Sequence, residues 1–230
     1  AAVPAAWADD ENKGQADLDK AIELQVGAES LSDLENVAKQ CESALQKGLD
    51  TENQQFAKQL LSSTLYQHAN QLCLPIFEQS PPDRRWPLLR QFAMKDLDRV
   101  VELDPNMGEA HLLIARLATL PQGDRNRGLE AAGKAVKLLQ KDKRQLATAF
   151  VIRAQLRDNA EDRLEDYGRA IDADPSNTAA WQARALTFMA QGNLEKAIDD
   201  LNATLEQNGD NIGAHLALAE ALTNLEKYDE

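Results

Sequence analysis

A recurring helix stop is the feature that most constrains how this 230-residue chain can fold. Asp104-Pro105 and Asp174-Pro175 each follow a helical run, and the two prolines lie 70 residues apart, close to two units of about 35 residues. A third stop, Asn208-Gly209, comes 34 residues after Pro175. Proline and glycine both end helices, so this spacing predicts a series of structural units of one length.

The segment between residues 178 and 211 shows the pattern inside one unit. One helix is predicted from Ala180 to Gln191, and a second from Leu194 to Glu206 after the turn Gly192-Asn193. Small or apolar residues recur at spacings of three and four, at Trp181, Ala185, Phe188, Ala197, Leu201 and Leu205. Neither helix can bury such a face alone, so two antiparallel helices stacked on neighbours are expected.

The composition agrees with helices and argues against other classes of protein. Hydrophobic residues make up 43% of the chain but aromatic residues only 5%, which favours an Ala/Leu core and disfavours a β-sandwich. Two cysteines are too few for a disulfide scaffold. The net charge of -13 disfavours non-specific nucleic-acid binding. A mildly basic middle, 61–143, lies between two acidic ends, which serves solubility or attracts a basic partner.

The unit at 178–211 resembles the tetratricopeptide repeat (TPR). Trp181 stands at the family's first anchor, Phe188 at its aromatic site and Leu201 at its large site on the second helix. The family's small sites are matched by Ala185 and Ala197. Three residues depart from the pattern, namely Arg184 for a leucine, Thr204 for an alanine and Gly209 for the closing proline. The resemblance implies an all-α, right-handed solenoid of antiparallel helix-turn-helix repeats.

The resemblance covers roughly Ala16 to the end of the chain, as about six units. Their expected bounds are 16–50, 51–107 with an insertion at 74–85, 108–143, 144–177, 178–211 and a truncated 212–230. The chain stops at Tyr228-Asp229-Glu230, where a second helix begins in the family. We therefore expect a fragment of a longer array, with Leu218 and Leu222 exposed where a partner helix should pack, because solenoids need a polar terminal cap.

The first fifteen residues form an expected leader. Ala6-Trp7-Ala8 has the small-x-small form of a secretory cleavage site, and Asp9-Asp10-Glu11-Asn12 follow it. The remnant of a signal peptide and a short disordered leader both fit. Export to the periplasm or the extracellular space is the expectation, with a cytoplasmic location as the alternative. The longest uncharged run, 59–77, is too polar to span a membrane.

In TPR arrays the first helices line a concave groove that holds a peptide or a partner's helix. The resemblance places these residues along that groove: Leu112, Arg116, Thr119, Thr148, Ile152, Gln155, Gln182, Leu186, Met189, Leu216, Glu220 and Thr223. Some TPR domains clamp a C-terminal carboxylate with Lys, Asn and Arg together, and that clamp is absent here, because the matching places hold Leu112/Arg116, Thr148/Ile152, Gln182/Leu186 and Leu216/Glu220. The predicted groove is neutral and partly apolar, which suits an apolar or amphipathic segment. A purely structural face without a ligand is the alternative.

The insertion 74–85 is a second candidate surface. Four prolines between 75 and 87 are expected to prevent a continuous helix, and long loops are often functional. Arg84 and Arg85 together with Phe77 and Trp86 have the character of binding anchors. Alternatively, the two aromatic residues fold back to cover their own repeat.

Nothing in the sequence indicates catalysis, a metal site or a cofactor. His68, His111 and His215 have no second His or Cys three or four residues on, so structural roles are expected. Neighbouring carboxylates on a helix point about 100° apart, so Glu165-Asp166 and Asp199-Asp200 are interpreted as solvated faces. Cys41 and Cys73 fall on helices of adjacent units, where either a disulfide or two buried thiols can be accommodated.

Surface recognition is the remaining function. We predict a non-catalytic scaffold or adaptor module that binds a protein or peptide. Two alternatives stay open: a substrate-positioning accessory domain of a larger enzyme, and a self-assembly module that associates through residues 212–225. The partner, the process and the oligomeric state do not follow from the residues, because a fold does not specify a ligand.

Overall fold

The structure is a computed structural model that describes residues 12–79 and 84–228. Every regular element in these residues is an α-helix. The eleven helices are α1 (Gln15–Gln25), α2 (Leu31–Lys47), α3 (Thr51–Phe77), α4 (Trp86–Leu103), α5 (Gly108–Ala118), α6 (Arg125–Leu138), α7 (Lys143–Gln155), α8 (Ala160–Ala173), α9 (Thr178–Ala190), α10 (Leu194–Gln207) and α11 (Ile212–Tyr228). The all-helical class predicted from the sequence is confirmed.

The helices form two compact units. Unit 1 comprises residues 1–110 and unit 2 residues 111–230, so α5 crosses the boundary. Within unit 1, α1, α2, α3 and α4 pack on one another in chain order. Within unit 2, α6 to α11 do the same, and the alternate helices α7, α9 and α11 also touch in succession. This arrangement of each helix on its chain neighbour is the packing of stacked helical hairpins.

Short polar side chains fix where several helices begin. Asp50 accepts a hydrogen bond from the Asn53 N–H at the start of α3, at 2.8 Å. Asp142 accepts one from the Gln145 N–H at the start of α7, at 3.0 Å. Ser30 and Asp33 form a reciprocal capping box at the start of α2. These bonds satisfy donors that have no partner inside the helix.

Small side chains let the helices approach closely. Ala185, Ala197 and Ala214 are fully buried where α9, α10 and α11 meet. Gly128 on α6 lies so near α5 that an added Cβ would be 2.5 Å from the Ala118 Cβ. A larger residue at either kind of site would force the helices apart, because protein interiors are close-packed.

The predicted insertion 74–85 is wrong in its first residues. Helix α3 runs on through Pro75 and ends at Phe77, and the Glu78 N–H bonds the Leu74 carbonyl. Proline has no N–H to donate to the Gln71 carbonyl, so the last turns of α3 lack one backbone hydrogen bond. The prolines at 81 and 82 lie outside the described residues, and Pro87 stands in the first turn of α4, where proline is accepted.

Most of the predicted leader, with Ala6-Trp7-Ala8, lies outside the described residues. Its last residues belong to unit 1: Gly14 donates to the Gly48 carbonyl at 2.8 Å, and Gln15 begins α1. No helix in residues 12–79 or 84–228 combines the length and the apolar character needed to cross a membrane.

Candidate functional site

The twelve residues predicted to line a groove lie on the first helices α5, α7, α9 and α11, and we call the surface they form the first-helix face. Its exposed members are Arg116, Thr119, Gln155, Leu186, Leu216, Glu220 and Thr223. Its half-buried members are Leu112, Thr148, Gln182 and Met189. Eleven of the twelve side chains are thus at least partly accessible.

Ile152 is the exception, and its assignment to an accessible groove is corrected. Its side chain is 5% exposed and belongs to the buried side of α7. Helix α7 packs against α6, α8 and α9 and buries three consecutive residues, Phe150, Val151 and Ile152. The spacing that placed Ile152 beside the apolar stripe did not show that this stripe is unusually wide.

Two leucines give the first-helix face its apolar character. Leu186 on α9 is 48% exposed, and Leu216 on α11 is 68% exposed. Met189 packs against the buried alanines of α9 to α11. The Gln182 side chain accepts a hydrogen bond from the Asn211 amide at 3.3 Å and so ties α9 to the start of α11. The face therefore offers apolar contacts on a positioned backbone.

Buried ion pairs contradict the interpretation of two carboxylate pairs as solvated faces. Asp166 is fully buried, and its oxygens accept from the Arg153 Nε at 2.8 Å and Nη2 at 2.5 Å. Asp200 is 4% exposed and accepts two bonds of 2.8 Å from Arg184. Their neighbours Glu165 and Asp199 are exposed, as expected.

These pairs join the two helices of one hairpin. Arg153 lies on α7 and Asp166 on α8, while Arg184 lies on α9 and Asp200 on α10. Each guanidinium also lies over an aromatic ring, 5.1 Å from the centroid for Arg153 and 5.0 Å for Arg184. The hydrogen bonds that Arg184 donates to Asp200 raise the pKa of its guanidinium above the usual value. Arg184, a departure from the family's leucine, is explained by this pairing.

A third aspartate occupies the same helical register. Asp96, Asp166 and Asp200 each stand seven residues before the last residue of their helix. The partner of Asp96 is His68 on α3, with 2.6 Å between Oδ2 and Nδ1. Register within the repeat, rather than the identity of the adjacent residue, is the sequence signal for a buried carboxylate.

The histidines have separate surroundings. His68 and His111 are 8% and 4% exposed, which agrees with the structural roles predicted for them. His215 is exposed, and its Nε2 lies 2.8 Å from the Gly209 carbonyl oxygen. Within the described ranges, no three His, Cys, Asp or Glu side chains are grouped so that they could hold a metal ion.

Unit 1 contains a cleft that the sequence did not reveal. It lies between α2 and α4 with α3 as its floor, has a volume of about 1230 Å³, and is called here the α2/α4 groove. Leu31 on one wall and Leu88 and Phe92 on the other are 37%, 49% and 48% exposed. The signal for the second wall was present, since residues 85, 88, 92, 95 and 99 recur at spacings of three and four.

The loop candidates split into two groups. Phe77 and Trp86 are half-buried, in the helical ends of α3 and α4, whereas Arg84 and Arg85 are exposed. Arg85 lines the α2/α4 groove. The four side chains therefore do not form one exposed contact point.

Both cysteines are buried thiols of unit 1. Cys41 is 0% and Cys73 3% exposed, and no disulfide joins them. Burial, together with the nearby charge of Glu42, raises the pKa of the Cys41 thiol to about 12. At neutral pH this thiol is protonated and packs as a small apolar side chain.

Sequence comparison supports the repeat at the place where the pattern is clearest. Residues 178–221 match the model of the tetratricopeptide repeat family. Mouse sperm-associated antigen 1 is 38% identical over 66 residues, which are 29% of this chain and 7% of that protein. Bovine DnaJ homolog subfamily C member 3 is 35% identical over 69 residues, 30% of this chain and 14% of that protein. The matches thus span small parts of both relatives.

Structural comparison extends the likeness over most of the chain. The fold is similar to the crystal structure of YrrB, a TPR protein with an unusual peptide-binding site. The TM-score is 0.61 at 16% sequence identity, covering 94% of this chain and 98% of YrrB. Residues 178–221 thus match the tetratricopeptide repeat family in sequence, and the described helices have a fold similar to that of a TPR protein.

Proposed function

We propose that the chain is a protein-binding scaffold and that the first-helix face of unit 2 holds a peptide or a helix of its partner. Protein–protein interaction is the general use of tetratricopeptide repeats. The finer assignment rests on one observation, the exposure of Leu186 and Leu216 on neighbouring first helices. Large apolar side chains held in water by a rigid helix lower the free energy of a complex when a partner covers them.

The character of the face sets the expected ligand. Thr119, Thr148 and Gln155 supply neutral hydrogen-bonding groups, and Arg116 and Glu220 supply one charge of each sign. A ligand with an apolar stripe and uncharged polar residues fits this set better than a strongly charged one. YrrB, the TPR protein of similar fold, has an unusual peptide-binding site, which supports a peptide as the ligand class.

A random 12-residue peptide array, probed with the whole chain, tests the assignment. Peptides that bind should lose at least tenfold in affinity when Leu186 and Leu216 are both replaced by Asp. The matched control is Leu138→Asp on α6, which changes a leucine of 38% exposure away from this face. Equal binding by the double variant and the parent chain would remove the face from the proposal.

Self-association through α11 is the second candidate, because its outer side is apolar. Ile212 is 74% and Leu222 45% exposed, whereas Leu218, which was also expected to be exposed, is half-buried against the α9–α11 core. Sedimentation over a hundredfold range of concentration should show a species that Leu222→Glu converts to monomer. A single monomeric species for the parent chain at every concentration would contradict it.

A further inference from the structure

The wall of the α2/α4 groove formed by α4 has the residue spacing of a helix-packing seam. Leu89 and Asp96 also line the groove from this wall, and five further lining residues, Arg85, Leu88, Phe92, Lys95 and Arg99, follow intervals of three, four, three and four. This is the 3.5-residue repeat with which one helix contacts another along its length. Leu88 and Phe92 form the apolar centre of this seam. Arg85 lies at one end of it, and Lys95 and Arg99 lie at the other.

The wall formed by α2 follows the same spacing. Leu31, Glu35, Ala38 and Glu42 lie at intervals of four, three and four, and all line the groove. Both walls therefore present the spacing of a helix-packing face to the groove, over a floor of α3. The volume of about 1230 Å³ exceeds that of ordinary small-molecule pockets, which are roughly 300–1000 Å³.

The carboxylates that line the groove already have partners within the protein. Each carboxylate there already has a cation: Glu42 is 2.8 Å from the Arg99 Nε, Glu35 lies 3.6 Å from the Lys39 Nζ, and Asp96 is bound to His68. The negative charges of the groove are therefore paired with cations of the same chain.

Lys95 is different from the other charged residues of the groove. It is exposed and forms no hydrogen bond or ion pair within the described part of the chain. It lies one helical turn from Phe92, on the same wall. In a chain of net charge -13, an unengaged cation beside an exposed aromatic residue favours a ligand that carries carboxylates next to an apolar stripe.

We propose that the α2/α4 groove binds an acidic amphipathic helix of a partner protein. Leu31, Leu88 and Phe92 bury the apolar stripe of that helix, and a carboxylate at its edge pairs with Lys95. This surface lies in unit 1 and is independent of the first-helix face of unit 2. It would give the scaffold a second binding site with a different ligand preference.

A displayed library of 18-residue amphipathic helices, with randomised apolar and charged positions, tests the proposal against the whole chain. Selection should enrich Asp and Glu beside the apolar stripe. The selected helices should bind Phe92→Asp at least tenfold more weakly. The matched control is Phe56→Asp, which changes an aromatic residue of 44% exposure outside the groove and should leave affinity unchanged.

The charge preference is tested separately. Lys95→Glu should lower the affinity of the acidic helices about tenfold, which corresponds to about 1.4 kcal/mol, and a Lys-for-Glu version of the same helix should recover it. Enrichment of basic or uncharged helices, no enrichment over the Phe92→Asp chain, or equal affinity for Phe92→Asp and Phe56→Asp would each overturn the proposal. A concentration-dependent dimer that Phe92→Asp abolishes would assign the groove to a second copy and overturn it as well.

Discussion

The hairpin α3/α4 of unit 1 and the hairpin α7/α8 of unit 2 solve one packing problem with different cations. Both place an aspartate seven residues before the end of the second helix. In unit 2, Asp166 is fully buried and engaged by Arg153 and Arg157. In unit 1, Asp96 is 16% exposed at its side chain and engaged by His68 beside an open groove.

The difference shows that an aspartate at one helical register can be shielded from water in one hairpin and border a groove in another. Arginine carries several donors in a fixed fork and keeps its charge, so it can satisfy both oxygens of a carboxylate in the interior. Histidine offers one ring nitrogen to Asp96 and leaves the other near Glu35, with 3.8 Å between Nε2 and Oε1. In the α7/α8 hairpin the aspartate paired with arginine is buried, whereas in the α3/α4 hairpin the aspartate paired with histidine borders the α2/α4 groove.

Asp166→Ala should have the largest effect on stability. It leaves the Arg153 guanidinium, 14% exposed at its side chain, without its bidentate partner, which costs about 3–5 kcal/mol. Chemical denaturation measures the free energy of unfolding. The adjacent Glu165→Ala is the control, because the exposed Glu165–Arg169 pair contributes at most about 0.5 kcal/mol. Equal losses for the two variants would refute the contrast between buried and exposed neighbours.

Asp96→Ala should cost less, about 2 kcal/mol, because water from the groove can reach His68 in place of the lost carboxylate. Denaturation of this variant beside Asp166→Ala measures the difference between the two hairpins directly. Gln91→Ala, an exposed position on the same helix, serves as the control. A loss of unfolding free energy as large as that of Asp166→Ala would mean that both ion pairs are equally shielded from water.

Cysteine labelling sharpens the comparison further, since both thiols lie in unit 1. The folded pKa of Cys41, about 12, lies above the unfolded value of about 8.5. Its contribution to stability is therefore present below pH 8.5 and is lost as the pH rises towards 12. Iodoacetamide at pH 8.5 should modify Cys41 roughly a thousandfold more slowly in the folded chain than in urea. Comparable rates, read by peptide mass analysis, would contradict the burial of Cys41.

The N-terminal caps should give the smallest and most similar effects in the two units. Hydrogen bonds from the Asn53 N–H to Asp50, and from the Gln145 N–H to Asp142, lower the pKa of each carboxyl. The stability they supply is present above the unfolded pKa of about 3.9 and is lost as the pH falls through the lower folded value. Asp50→Ala and Asp142→Ala should each lower Tm at pH 7 and flatten its decline below pH 4.

Asparagine is the control for both caps, because it accepts the same hydrogen bond without a charge. Asp50→Asn and Asp142→Asn should keep most of the parent Tm at pH 7. A fall as large as that caused by alanine would assign the effect to charge rather than to capping.

The helical repeats were predictable because their signals are local. The stops at Pro105, Pro175 and Gly209 and the spacing from Trp181 to Leu205 are read within single units, and α9 and α10 correspond to the two helices predicted in residues 178–211. The extent of α3 was missed because Pro75 was expected to end the helix. The last turns of α3 bury Leu72, Cys73 and Ile76, and such packing overrides the local preference of a proline.

The sites were less predictable because they depend on contacts between helices. The burial of Ile152 follows from three neighbouring helices around α7, which no spacing within α7 displays. Asp166 and Asp200 looked like solvated carboxylates because their partners, Arg153 and Arg184, stand thirteen and sixteen residues away. The α2/α4 groove is lined by residues of two hairpins, so the sequence of either wall alone could not predict it.

Cys41 and Cys73 both lie in the interior of unit 1 and are not joined to each other. Unit 1 is held by alanine, leucine and buried thiols, not by a covalent bond that must be oxidised. What holds α2 against α3 is the contact between these apolar side chains.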